Sequence, residues 1–305
     1  MVNIDLSTEL AGLRLQNPLI PASGCWGFGQ EYLDFYDPNI LGAASLKGTT
    51  WEPHDGNDTP RIAETPAGMI NSIGLQNPGV HALVEQKIPE LREIYHQPII
   101  ANISGFSVDG YVQACQLADG HCEIIELNIS CPNVHGGGAA FGSSADLAAT
   151  VTKAVREVVR DSKLFVKLSP NVTSVLDIAR AVAEAGADGF TLVNTFYGMR
   201  IDWRRRRPVL ARRVGGFCGP AVFPMALKII DEVHREIDLP IMGSGGVSQA
   251  SDVVEMLLAG ASAVQVGAAS LANPLTIPQI LADLPGALAQ MGAASVSEIV
   301  GALEG

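Results

Sequence analysis

Residues 240–267, PIMGSGGVSQASDVVEMLLAGASAVQVG, hold one complete unit of the fold. An apolar run over 240–243 ends in Gly243, Ser244, Gly245 and Gly246. A stretch over 249–259 follows, with apolar residues at three- and four-residue steps, and Gly260 stands behind it as a C′ glycine. A second apolar run, 263–267, ends in Gly267 ahead of Ala268, Ala269 and Ser270. Short apolar runs closed by glycine are what strands buried on both faces look like. The unit therefore reads as strand, helix, parallel strand.

The same rhythm continues outward. Runs at 19–22, 43–47, 99–103, 124–129, 164–168 and 189–194 raise the strand number to eight. Amphipathic stretches at 145–161, 174–185 and 224–237 lie between them, and Gly186 closes the second as a further C′ glycine. Eight such alternations imply a parallel sheet that closes on itself, an α/β (β/α)8 TIM barrel. An open doubly wound sheet would carry a glycine fingerprint after its first strand, and none appears. Residues 4–15 resemble a small hairpin closing the barrel floor. The connections 48–79 and 195–220 exceed ordinary barrel loops, and both follow strands, which assigns them to the carboxyl face where barrels build active sites. Insertions of this length read as functional lids. With no linker or low-complexity tract, residues 1–305 read as one domain.

Bulk properties narrow the function. The formal net charge is −12, from 20 basic and 32 acidic residues, which disfavours nucleic acid as a ligand. Arg204, Arg205, Arg206, Arg207, Arg212 and Arg213 form a local exception, readable as an anion-steering patch or as a solvated loop. The five cysteines include no C-x-x-C pair, so no zinc or iron–sulfur site is expected in this chain, and scattered thiols suit a reducing cytoplasm. The first residues lack the pattern of a signal peptide, and no apolar run is long enough for a membrane span.

Two side-chain-free loops, at the ends of strands seven and eight, are placed to bring backbone N–H groups against a phosphate. Polar residues end five other strands: Lys47, Asn102, Asn128, Lys167 and Asn194. Converging on one mouth, they would leave buried donors and acceptors without partners at about 1–3 kcal/mol each unless a flat polar ligand met them. Neither lysine has a carboxylate nearby in sequence, which points to an anion. Beyond strand four, Asn128-Ile129-Ser130-Cys131-Pro132-Asn133 runs into Gly136-Gly137-Gly138. No neighbouring histidine supports a nucleophilic Cys–His pair, since His135 could equally face solvent, and a thiol with a lowered pKa serves instead as a general base.

These stretches resemble the dihydroorotate dehydrogenases, and among them the catalytic subunits of class 1B, the NAD-linked type. The likeness runs from Asn17-Pro18 to Ala268. It takes in Ala22-Ser23-Gly24 with Gly27-Phe28-Gly29, Lys47-Gly48-Thr49-Thr50 and Pro60-Arg61-Ile62-Ala63-Glu64-Thr65. Most specific is Asn71-Ser72-Ile73-Gly74-Leu75-Gln76-Asn77-Pro78-Gly79, whose Gln-Asn-Pro favours class 1B over the fumarate-linked class 1A. A cysteine base rather than serine separates it from the membrane-bound class 2.

The resemblance implies FMN contacts from Ala22, Ser23, Lys47, Gly48, Asn102, Asn128, Lys167, Val193 and Gly219. It implies a phosphate on Gly245, Gly246, Gly267 and Ala268. Dihydroorotate, or its product orotate, would meet Lys47, Asn71, Ile73, Gly74, Leu75, Asn128, Asn133, Asn194 and Thr195. Cys131 would take the C5 proton while hydride leaves C6 for the flavin, with Lys47 on the substrate carboxylate or the flavin and Lys167 beside flavin N1. The implied role is in pyrimidine biosynthesis, within a homodimer of catalytic subunits that binds two electron-transfer subunits carrying FAD and a [2Fe–2S] cluster. Phe217-Cys218-Gly219-Pro220 replaces the usual Leu-Ser-Gly-Pro, and residues 203–207 are more basic than in the family pattern. The alternatives are a fumarate-linked or dihydropyrimidine-type flavoenzyme, and a barrel that only binds a phosphate ligand.

Overall fold

A computed structural model describes residues 4–130 and 138–304. Eight strands form one parallel sheet: β1 (Leu19–Pro21), β2 (Ala44–Ser45), β3 (Ile99–Ile103), β4 (Ile124–Asn128), β5 (Lys163–Lys167), β6 (Gly189–Leu192), β7 (Ile241–Ser244) and β8 (Ala263–Val266). Each pairs with its sequence neighbour from β2 to β7, and β8 joins β7 to β1. The seam between β1 and β2 is drawn together by the Gly42 N–H, which donates to the Leu19 carbonyl at 3.0 Å. A Cβ at Gly42 would lie 1.9 Å from the Asn17 carbonyl oxygen, so only glycine allows this approach. Asn17 adds to the seam by donating to the Ile40 carbonyl at 2.8 Å and accepting from the Leu19 N–H at 3.0 Å. The chain is a TIM barrel.

The interior is layered by the two-residue period of a strand. Ile20, Ala43, Ile100, Ile124, Phe165, Met242 and Ala263 make one apolar cluster at the floor, plugged by Leu10 and Leu15. Those two leucines come from the amino-terminal hairpin, Thr8–Leu10 paired with Leu13–Leu15. Two residues further along each strand, the layer changes character: Ser45, Asn102, Glu126, Lys167 and Gln265 follow Ala43, Ile100, Ile124, Phe165 and Ala263, and all five are buried. Outside the sheet, the opposite faces of the strands pack on the helices in the main core. Serine hydroxyls at Ser107, Ser144 and Ser174 accept from N–H groups in the first turns of three of these helices, as N-caps should.

Two features differ from the sequence pattern. The helices expected over 145–161 and 224–237 run Ala145–Arg156 and Phe223–His234, because their last apolar residues pack from turns rather than from continued helix. The two long connections, read above as functional lids, together build one antiparallel sheet in the order Phe196–Met199, Val214–Cys218, Gly68–Asn71, Ile62–Thr65, a pairing the sequence pattern does not give. Segments that leave from β2 and β6 thus share backbone hydrogen bonds above the barrel mouth. Among the described residues, no helix is long and apolar enough to cross a membrane.

Candidate active site

A cavity of about 310 Å³ opens at the carboxyl ends of the strands, within the size range of small-molecule sites. Every site residue expected from the sequence that lies among the described residues lines it. Ala22 and Ser23 follow β1, with the Ala22 N–H bonded to the Val266 carbonyl at 2.8 Å. Lys47 and Gly48 follow β2, Asn102 stands in β3, Asn128 ends β4 and Lys167 ends β5. Val193, Asn194 and Thr195 leave β6, whose Leu192–Val193 peptide is cis. Asn71, Ile73, Gly74 and Leu75 arrive from the antiparallel sheet, as does Gly219. Gly245, Gly246, Gly267 and Ala268 close the far end above β7 and β8. Cys131 and Asn133 lie outside the described residues. The chain on either side is anchored: Ser130 is buried against Asn128 and Asn194, and a Cβ at Gly142 would lie 2.3 Å from the Ile129 carbonyl oxygen.

The cradle above β7 needs glycine. Gly246 has φ +82°, a left-handed conformation, and a Cβ there would stand 2.7 Å from the Phe223 Cβ. Gly245 has φ +133°, and its Cβ would stand 2.8 Å from that of Ala226. Glycine here lets the strand end pack directly against the helix Phe223–His234, and both glycines line the cavity.

The mouth is ordered by side chains the sequence pattern did not single out. Glu126 has no exposed surface and sits one layer below the cavity. Its Oε1 accepts from Asn102 Nδ2 at 2.5 Å, and its Oε2 accepts from Thr191 at 2.7 Å and Gln265 Nε2 at 2.8 Å. Lys167 Nζ lies 3.5 Å from Glu126 Oε1 and donates to Gln265 Oε1 at 3.2 Å. Lys167 has no carboxylate nearby in sequence, and the fold supplies one from the adjacent strand, 41 positions away. Burial alone would raise the Glu126 pKa, but the Lys167 ammonium and the bonds from Thr191, Asn102 and Gln265 outweigh it and hold the carboxyl below its ordinary value. The available signal was a carboxylate inside an otherwise apolar strand, Ile124-Ile125-Glu126-Leu127.

From Glu126 a directed chain of donors runs outward. Asn102 donates to Glu126, Asn128 Nδ2 donates to Asn102 Oδ1 at 3.3 Å, Ser130 Oγ donates to Asn128 Oδ1 at 2.9 Å, and Asn194 Nδ2 donates to Ser130 Oγ at 2.9 Å. A carboxylate accepts only, so it fixes which end of each amide faces inward. Asn102, Asn128 and Asn194 each spend an amide N–H within this chain and line the cavity beside it.

Two cysteines also line the cavity. Burial pushes the Cys25 thiol up despite the Lys167 and Lys47 ammoniums, and burial followed by Cys25 pushes Cys218 up to about 12. Both stay protonated at neutral pH, which suits packing rather than nucleophilic work.

A parallel barrel with glycines above its last strands, and a mouth ringed by amides and two lysines, defines a TIM-barrel protein whose mouth has the chemistry to receive a flat, polar, anionic ligand. The family model described as dihydroorotate dehydrogenase matches residues 5–288. Similar proteins include the catalytic subunits of dihydroorotate dehydrogenase B (NAD(+)) from Bacillus pumilus and Geobacillus kaustophilus. Each is 50% identical over 298 residues and 97% of this chain, covering 96% and 95% of those proteins. A crystal structure of DHODH from Eimeria tenella in complex with ferulenol superposes with a TM-score of 0.84 over 98% of this chain and 88% of that one, and at 22% identity it bears on the fold. The chain belongs to the dihydroorotate dehydrogenase family.

Proposed function

We propose that this protein oxidises (S)-dihydroorotate to orotate in pyrimidine biosynthesis, as the FMN-binding catalytic subunit of an NAD-linked enzyme. The observation that carries this reading is the convergence of the glycine cradle, Lys47, Lys167 and the Asn102–Asn128–Ser130–Asn194 chain on one cavity.

The residues present fit FMN. Gly245, Gly246, Gly267 and Ala268 line the end of the cavity where its phosphate would sit, with no long side chain among them. Ala22, Ser23, Gly48, Asn102, Val193 and Gly219 would line its flat ring, and Lys167 would lie against the edge that gains negative charge on reduction. When bound, FMN supplies the acceptor for the hydride leaving C6 of dihydroorotate.

The chain's own residues would do the rest. Lys47 would hold the substrate carboxylate, and Asn71, Asn128, Asn133 and Asn194 would donate to the ring oxygens, with Ile73, Gly74, Leu75 and Thr195 closing over the ring. Cys131 would take the proton from C5, so that loss of hydride at C6 and of a proton at C5 leaves the C5–C6 double bond of orotate. Electrons would leave through a partner subunit carrying FAD and a [2Fe–2S] cluster and pass to NAD. The names "catalytic subunit" and "NAD(+)" of the relatives support this. Residues 1–305 would act as one domain in the cytoplasm, within a dimer of catalytic subunits bound to two such partners.

The purified protein is expected to be yellow and to bleach anaerobically on addition of dihydroorotate. A colourless protein that takes up no FMN would overturn the reading. Bleaching by dihydrouracil as fast as by dihydroorotate would favour the dihydropyrimidine alternative. Against that alternative stand Lys47 and the donor-rich mouth, which suit a substrate with a carboxylate and two carbonyls. Cys131→Ala should keep FMN and lose most of its rate of reduction at neutral pH.

A further inference from the structure

We infer that Glu126 is a positioning residue whose charge, acting through Lys167 and Asn102, holds down the reduction potential of the flavin bound above it. The inference rests on the flavin reading given above.

The carboxylate draws donors from other strands: Asn102 in β3, Lys167 in β5, Thr191 in β6, Gln265 in β8, and Ser45 in β2 at 3.5 Å. Only Asn102 and Lys167 of these line the cavity. Glu126 therefore touches no bound ligand and reaches the site through these two side chains. Lys167, only 5% exposed, spends one donor direction on Glu126 and one on Gln265 Oε1, which leaves the third of its three directions for the cavity.

Structural need alone accounts poorly for a charge here. Replacing both members of a buried ion pair by well-packed apolar groups is often neutral or stabilising, whereas removing one member leaves the other charge buried and unpaired. Lys167 is the cationic partner of the Glu126 carboxylate, and the 3.5 Å separation is longer than a tight ion pair. The pair thus presents its positive end to the cavity and its negative end to the floor. Positive charge beside a flavin favours the reduced form, which gains negative charge, and the carboxylate beneath partly cancels it. Removing the carboxylate leaves the full ammonium facing the ring.

The test uses the FMN-loaded protein, with the midpoint potential of bound FMN measured by dye equilibration at neutral pH. Glu126→Gln should keep FMN, because the phosphate cradle lies on other strands, and should shift the potential to more positive values. Glu126→Asp keeps the charge but withdraws it by one methylene, and should fall between Glu126→Gln and the native protein. If Glu126→Gln fails to fold, as judged by circular dichroism, Glu126→Asp alone must lie positive of the native protein. A potential that is unchanged or more negative in a folded, FMN-bound variant overturns the inference and leaves the flavin reading intact. Failure of the native protein to bind FMN overturns the flavin reading itself, and the inference with it.

Discussion

Gly246 shows how much one hydrogen atom decides. Its φ of +82° suits glycine, and a methyl there would meet the Phe223 Cβ, N and Cα, the nearest at 2.7 Å. Backbone strain of this kind costs about 1–3 kcal/mol, enough to weaken a ligand held by the same loop roughly tenfold or more. Gly246→Ala is therefore expected to raise the FMN dissociation constant by about that factor, measured by fluorescence titration of the apoprotein. Glu126 supplies a second residue-scale prediction. Its folded pKa lies below the ordinary 4.5, so the ionised carboxylate adds stability above that pH, and the gain drains away as pH falls through the folded value. The difference in melting temperature between the native protein and Glu126→Gln should be widest near neutrality and narrow below pH 4.5. A constant gap across that range would contradict it. Lys167 and the glycine loops were readable in the sequence because strand ends are easily counted. The carboxylate paired with Lys167 was not, because it lies 41 positions away and meets it only once β4 and β5 are in register.

The eight barrel strands were legible for a simple reason: strands buried on both faces need near-continuous apolar runs, and Ile99–Ile103, apolar but for Asn102, is buried at every position. The antiparallel sheet above the mouth had no such signature. Its strands are short, and Gly68, Gly198, Gly215 and Gly216 weaken any alternation of apolar and polar residues. Asn71 donates to the Gly216 carbonyl across 145 positions of chain, a pairing that no local pattern announces. Gly216 and Gly215 are there because Thr195 and Asn71 press against the strand. A Cβ at Gly216 would fall 2.1 Å from Thr195 Oγ1, and one at Gly215 would fall 2.4 Å from the Asn71 carbonyl oxygen. Gly216→Ala should displace Thr195 and Asn71 together while the cradle above β7 and β8 stays intact. Orotate affinity, read from its perturbation of the flavin spectrum, is expected to drop about tenfold, the equivalent of one lost hydrogen bond, with FMN binding unchanged. Loss of FMN and orotate together would mean that the sheet supports the whole barrel mouth rather than its substrate half.

Across the whole molecule the charge is uneven. The chain carries a net charge of −12, yet residues 204–207 hold four consecutive arginines. They close a two-stranded hairpin, Ile201–Asp202 with Arg207–Pro208, in the chain between Phe196–Met199 and Val214–Cys218. Beside them Trp203 is 73% exposed, with the Arg204 guanidinium 4.8 Å from its ring centroid. Under the proposed function the electrons would pass from flavin to NAD through a partner subunit, in keeping with the relatives' name "catalytic subunit". The purified chain alone should accordingly let dihydroorotate bleach its flavin and yet form no NADH from added NAD, followed at the absorbance of the reduced nicotinamide. Mixing it with an FAD- and [2Fe–2S]-bearing subunit should switch NADH formation on. If that subunit meets the protein through opposite charges, NADH formation should fall as salt is raised toward about 1 M, where the screening length shrinks to roughly 3 Å, while bleaching of the isolated chain stays constant. NADH formed by the chain alone, at the rate at which its flavin is reduced, would show that the electrons need no second polypeptide.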